Sequence, residues 1–428
     1  MRLSSFSLLQ QARPGDLSPD GWLLFATYGV RSFAYGFLSV VLGLYLAARG
    51  LEAGAIGVIF TAALAGGAVM TVVLTSVADR VGRRRVLLAG TVLMALSGAV
   101  FALTDNVAFL VLAAILGTIS PSGKEVGPFL SIEQAILPQM TGDEHRTAVF
   151  AAYNIVGYMA GALGALAVGL PAISGVEPLP GYSALVWAYA ASALVLFVLF
   201  ARLSPRVEVP ATVSPRPGPR PRLGLHRSRG IVVRLAALFA IDSFAGGFIV
   251  QSLIAYWFYL RYGADAATLG AIFFGTNILS AVSFLAAVPV ARRIGLLNTM
   301  VFTHLPSNVL VLLVPLMPNL ELAVAMILAR HLLSQLDVPT RQSYTMAIVS
   351  PDERSAAAGV TSVARTAAAA VAPAFSGATL AMPALGLPFL VAGGLKILYD
   401  IAILMAFRKV RPPEEVFRRA AGVLQNKN

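Results

Sequence analysis

The chain has 428 residues, of which 57% are hydrophobic and 12% charged, with a net charge of +12 and no cysteine. Its mean hydropathy is +0.79. That composition excludes an ordinary soluble domain, and the missing cysteines exclude disulfides, a thiolate nucleophile and a Cys-ligated metal.

Residues 1–21 open the chain with too short an apolar run for a signal-peptide core, and read as a cytoplasmic N-terminal tail. A bilayer core takes about 20 apolar residues per helix, and on that measure twelve spans follow. They run over 22–48, 53–77, 86–104, 107–136, 147–171, 182–203, 231–260, 268–290, 298–316, 320–347, 356–380 and 384–407. The fold class expected is an all-α membrane protein of twelve transmembrane helices in two pseudo-symmetric six-helix bundles, 22–203 and 231–407. Residues 204–230 between the bundles are rich in proline and arginine and read as a solvated linker; 408–428 form a basic C-terminal tail.

Charge placement sets the orientation. Of 32 Lys and Arg, two (Arg49, Arg261) fall in external loops and six lie deep inside spans, which leaves 24 on or at the edge of one side. That asymmetry places both termini in the cytoplasm and explains the positive charge without nucleic acid. A cytoplasmic (inner) membrane is the expected location.

The two bundles echo one another. VRSFAYGF at 30–37 matches IDSFAGGF at 241–248, with Arg31 replaced by Asp242, 211 residues on. Gly82 and Gly295 lie 213 apart, and Arg146 and Arg354 lie 208 apart. The drift places about five extra residues of the first half near ISPSGKEVGPF, 119–129. Pro121, Gly123, Gly127 and Pro128 there either break the fourth span inside the membrane, beside the pathway, or mark a cytoplasmic loop beyond Ser120.

TSVADRVGRRR, residues 75–85, resembles the cytoplasmic signature of the major facilitator superfamily. Ala78, Asp79, Arg80, Gly82, Arg83 and Arg84 match in place; Thr75 and Val77 depart from the pattern. The resemblance implies a secondary transporter whose bundles rock about a central site. It also implies a gating role for Asp79, Arg80, Gly82 and Arg83. Asp79 is expected against the N-terminus of span eleven near Ser355.

Ionisable side chains at membrane depth are costly, so each is a functional candidate. The inventory is Arg31, Lys124, Glu125, Glu133, Asp242, Arg330, His331, Asp337, Arg341, Arg365, Lys396 and Asp400. Substrate is expected to meet Arg31, Lys124, Asp242, Gln251, Tyr256, Arg330, Arg365 and Lys396. Protons are expected at Asp242, Glu133, Asp337 and Asp400. Arg31 and Asp242 are expected to bridge the halves or be split by substrate, or else to form a permanent structural pair. Lys396 and Asp400, four residues apart, can neutralise one another. Glu133 and Arg341 are repeat partners 208 apart with inverted charge, and read as a gate between the bundles. Gly157, Gly161 and Gly164 permit close helix approach in span five.

With cations in slight surplus, the reading is a proton-coupled transporter of a small organic anion or zwitterion working by alternating access, export favoured. It is expected to be a monomer with no cofactor and no metal. No phosphate-binding loop, metal spacing or nucleophile cluster supports an enzyme. The alternatives are an exporter of hydrophobic drugs and a non-transporting sensor or assembly protein on the same fold.

Overall fold

The computed structural model describes residues 17–124, 127–140, 146–208, 225–350, 353–380 and 386–410, without the side chains of 146–148, 151 and 355. Among them the chain is almost entirely helical and contains no strand. The helices are α1 Pro19–Ala48, α2 Ala53–Val81, α3 Arg83–Leu103, α4 Val107–Leu116, α5 Phe129–Ile136, α6 Arg146–Ala167 and α7 Pro178–Ala201. The second half supplies α8 Arg229–Gly247, α9 Gln251–Tyr262, α10 Ala266–Ile294, α11 Leu296–Leu313, α12 Leu320–Ser334, α13 Asp337–Ile348, α14 Arg354–Thr379 and α15 Leu387–Phe407.

Among the described residues ten helices, counting α8–α9 and α12–α13 as one each, are long and apolar enough to cross a membrane. The fourth span reaches membrane length only as the pair α4 and α5. The eleventh, α14, is alanine-rich and carries Arg354 and Arg365, so its mean hydropathy is low despite its 26 residues. With these two the twelve-span architecture is complete.

Interruptions recur at equivalent places. α4 and α12 begin at residues 107 and 320, 213 apart, whereas α5 and α13 begin at 129 and 337, 208 apart. The five-residue excess of the first half therefore sits inside the break between α4 and α5. That break is an interrupted span and not a surface loop. Thr118, Ser120 and Pro121 in it are buried, and protein groups satisfy two of its carbonyls, in keeping with irregular backbone at such depth. The Ser252 N–H donates to the Pro121 carbonyl at 3.0 Å, and the Thr71 hydroxyl donates to the Gly127 carbonyl at 2.9 Å. Gly82 and Gly295 join α2 to α3 and α10 to α11 with φ of +108° and +91°. Any residue with a Cβ is strained there, which gives both repeats of the signature a backbone reason for glycine.

The chain forms two compact units. The first holds 1–215, 250–278 and 373–381; the second holds 216–249, 279–372 and 382–428. Two of the boundaries fall at backbone discontinuities, the α8–α9 break and Pro373 inside α14. In the first unit α1 packs on α6 and α7, α3 on α7, and α2 on α4. In the second, α11 and α8 pack on α15, and α11 also on α12 and α13. The α3–α7 and α11–α15 contacts are repeat equivalents, as are α1–α7 and α8–α15.

Candidate functional site

The core of the first unit is built around Arg31, which is fully buried on α1. Its guanidinium donates to both oxygens of Glu133 on α5, at 3.0 and 2.6 Å. The Glu133 carboxylate also accepts from the Thr27 hydroxyl at 2.8 Å and from the Tyr153 hydroxyl of α6. Aromatic rings close the sides: the guanidinium lies 4.7 Å from the Phe129 centroid and 5.7 Å from that of Tyr28. Tyr28 in turn stacks on Tyr153 with centroids 4.1 Å apart. A bidentate pair that is this enclosed is neutral as a whole and holds α1, α5 and α6 together.

In the second unit the same two positions form a bridge of opposite polarity. Asp242 on α8 accepts from Arg341 on α13 at 3.0 Å. Thus Arg31 corresponds to Asp242 and Glu133 to Arg341, and the inversion seen along the sequence is an acid and a base exchanged within one repeated contact. The sequence reading joins Arg31 to Asp242 across the halves and makes Glu133 and Arg341 a gate. The structure gives each of the four a counter-charge in its own unit.

Asp242 has further partners. The Lys396 ammonium of α15 donates to it at 2.5 Å, and His304 Nε2 of α11 lies 3.8 Å away. Arg341 also reaches Asp337 at 3.2 Å. Lys396 and Asp400, on one face of α15, do not neutralise one another. Lys396 turns to Asp242, while Asp400 receives His304 Nδ1 and Asn308 Nδ2, both at 2.8 Å. All of these groups are at least nine-tenths buried.

Two cations stand apart. Arg365 on α14 and Arg330 on α12 are half-buried, and among the described residues neither has a carboxylate at ion-pair distance. Arg365 donates to the Ser243 hydroxyl at 3.3 Å, and Arg330 meets the His331 ring at 3.3 Å. Both remain within Coulombic reach of Asp242 and Asp337.

The other candidates are more dispersed. Lys124 is exposed in the α4–α5 break, and Glu125 lies outside the described residues. Gln251, at the start of α9, donates to the Ser39 hydroxyl at 2.9 Å. Tyr256 is buried and packs on Gly43, so in this unit it is a packing residue.

At the signature, Asp79 pairs with Arg83 at 2.8 Å, and the Asp79 side chain is 62% exposed; Arg80 is exposed. The side chain of Ser355 lies outside the described residues. A second acid sits at the signature instead: Glu208, at the start of the linker, accepts from the backbone N–H groups of Arg83 and Arg84 at 2.6 and 3.2 Å. It caps α3. The far end of the linker is held likewise, since Glu353 accepts from the N–H groups of His226, Arg227 and Ser228, the last two at 2.8 Å. Hydrogen bonding, with the Ser228 hydroxyl foremost, lowers the Glu353 carboxyl from 4.5 to about 2.

Sequence reasoning missed His304, Asn308, Glu208 and Glu353. The spacing of His304 and Asn308, one helical turn apart on an otherwise apolar span, is the signal that exposes the first two.

Interrupted helices, two repeated halves and ion pairs at membrane depth define the class: a polytopic α-helical membrane protein built like a transporter. The chain belongs to the Major Facilitator Superfamily, whose family model matches residues 24–335. An uncharacterized membrane protein of Saccharomyces cerevisiae is 29% identical over 423 residues, covering 91% of this chain and 94% of that protein. Among solved structures, the nucleoside transporter NupG aligns with a TM-score of 0.70 at 15% identity, covering 91% of this chain and 99% of that one. The D-xylose-proton symporter aligns at 0.70 and 17%, covering 90% and 96%. The human organic anion transporter MFSD10 aligns at 0.60 and 18%, covering 90% and 100%. At such identities the likeness is one of fold.

Proposed function

We propose that this protein is a secondary active transporter that moves a small organic anion or zwitterion across a cytoplasmic membrane by alternating access, coupled to protons and with export favoured. The carrying observation is the position of Arg365 and Arg330. Among the described residues, every fully buried acid of the second unit is already matched to a group inside it, whereas these two guanidiniums have no carboxylate at contact distance. A half-buried guanidinium is stabilised by an acceptor with the geometry of a carboxylate, phosphate or sulfonate. A substrate anion supplies it.

The test is a thermal-shift screen of the purified protein against organic anions, zwitterions and cations, followed by uptake into liposomes with and without a pH gradient. Anions are expected to stabilise the wild type. Arg365→Ala is expected to weaken the best anion about tenfold or more, the loss of one charge-assisted hydrogen bond at ~1.5 kcal/mol. Stabilisation by organic cations alone rejects the charge class, and stabilisation by apolar compounds alone favours the drug-exporter alternative.

A further inference from the structure

The echo between VRSFAYGF, 30–37, and IDSFAGGF, 241–248, carries one other change of residue character besides Arg31 for Asp242. Where the first copy has Tyr35 the second has Gly246, 211 residues on. The packing on either side shows that the two positions are equivalent within their units. A Cβ on Gly36 would stand 2.2 Å from the Gly161 carbonyl oxygen of α6, and one on Gly247 would stand 2.4 Å from the Ala369 carbonyl oxygen of α14. Gly161 and Ala369 are themselves 208 apart. α1 and α8 therefore dock on their neighbours in one register, and Tyr35 and Gly246 point the same way.

What fills the two places differs. Tyr35 is 1% exposed, and its ring centroid lies 6.2 Å from that of Tyr189 on α7. Gly246 is half-buried, and among the described residues a Cβ there would have only the end of Lys396 within 4 Å, Nζ at 3.8 Å and Cε at 4.0 Å. Room that a phenol occupies in the first unit is open in the second. A neighbouring position changes in the same sense. Gly157, which makes way for the Tyr28 ring, is matched 208 residues on by Arg365. Arg365 is held by the Ser243 hydroxyl at 3.3 Å, one turn before Gly246 on the same face of α8.

The Lys396 ammonium is 6% exposed and has three N–H donors. Asp242 accepts two of them, through its carboxylate at 2.5 Å and its main-chain carbonyl at 3.3 Å. The third has no acceptor among the described residues, and the open space at Gly246 adjoins it. An apolar occupant would leave that donor buried and unsatisfied. A carboxylate has acceptor sites for both the ammonium and a guanidinium. We propose that the space at Gly246 is the seat of a carboxylate of the solute, held by Lys396 and Arg365 in the room that a tyrosine fills in the first half. Gly246 then sets how much bulk fits beside that carboxylate, about a phenol ring. That the bound carboxylate belongs to a transported solute rests on the transport reading; that an anion sits here does not.

The chain has no cysteine, so Gly246→Cys introduces a single thiol. Two methanethiosulfonates, one bearing a sulfonate and one a trimethylammonium, report the charge around it in full-length protein in lipid nanodiscs. With each rate divided by that for a free thiol in solution, the anionic reagent should react about tenfold or more faster than the cationic one. Benzoate should slow the reaction, and its neutral isostere benzamide should not. In the cysteine-free protein benzoate should raise the thermal unfolding midpoint. Gly246→Ala should keep that midpoint in the absence of ligand and weaken benzoate about tenfold, as crowding of a filled site does. Gly246→Tyr, which restores the residue of the first half, should abolish the effect. If the tyrosine variant fails to fold, the alanine variant decides, since its Cβ meets nothing closer than 3.8 Å. Gly359→Ala, at an open and exposed glycine of α14, controls for helix stiffening and should leave benzoate unchanged. A thiol that does not react, or shows no preference for the anionic reagent, overturns the proposal. So does benzoate that neither slows the reaction nor stabilises the protein, or that stabilises Gly246→Ala as well as the wild type. An anion-selective seat in a protein that moves no solute into liposomes counts against the transport reading and leaves the seat standing.

Discussion

At the scale of single residues, buried charges dominate the second and first units alike, and their value depends on completeness. Arg31 and Glu133 together satisfy one another; removing one leaves the other buried and uncompensated. We expect Arg31→Leu or Glu133→Gln to cost about 3–5 kcal/mol. The double variant Arg31→Leu with Glu133→Leu should recover part of that loss, read as a partial return of the thermal unfolding midpoint in detergent. Glu353 makes a pH-dependent contribution at the linker. Its carboxyl is lowered from 4.5 to about 2 in the folded protein, so its stabilisation is present above the unfolded value and fades as pH falls from about 4.5 through about 2. Melting curves of wild type and Glu353→Gln should therefore differ at pH 6 and converge on acidification through that window.

At the scale of elements, the break in the fourth span and the approach of α1 to α6 decide the geometry of the first unit. A Cβ on Gly164 would stand 2.1 Å from the Phe33 carbonyl oxygen, and one on Gly157 would meet the Tyr28 ring at 2.4 Å. The glycines of span five are thus a packing surface, as their spacing suggests. Gly164→Leu must push α6 from α1 and with it Tyr153 from Glu133. We expect about 1–3 kcal/mol of destabilisation for Gly164→Ala and more for leucine, measured by thermal unfolding. The break itself was legible from Pro121, Gly123, Gly127 and Pro128 together with the drift in repeat spacing. The partners of its backbone were not: Thr71 and Ser252 lie about 55 and 130 residues from the carbonyls they satisfy, and nothing local in the sequence links them.

At the scale of the whole molecule, an even number of spans puts both ends on one side, and we propose from the basic linker and tail that this side is the cytoplasm. A protease or membrane-impermeant label applied to intact cells should spare tags at both termini and reach them only after lysis; reaction of either terminus in intact cells rejects that orientation. The linker is more than a tether of basic residues, because carboxylates pin both of its described ends, Glu208 on α3 and Glu353 ahead of α8. Neither acid belongs to a recognisable motif. Each acts through backbone N–H groups, which carry no residue-type signature.

The sequence by itself determined the class, the twelve spans, the duplication and the exchange of charge between Arg31 and Asp242, and it left the fourth span either interrupted or ended at a loop. These follow from hydropathy, helix-breaking residues and spacing, all of which are read along the chain. Only the tertiary structure decided the partners: Glu133 for Arg31, Arg341 and Lys396 for Asp242, and His304 for Asp400, with no carboxylate among the described residues at contact distance from Arg365 or Arg330. Periodicity fixes the depth and face of a side chain on its own helix, but the rotation and neighbours of that helix are set by packing with spans a hundred residues away. Lys396 and Asp400 show the difference, since one helical face allowed them to pair and the surrounding helices supplied each with another partner.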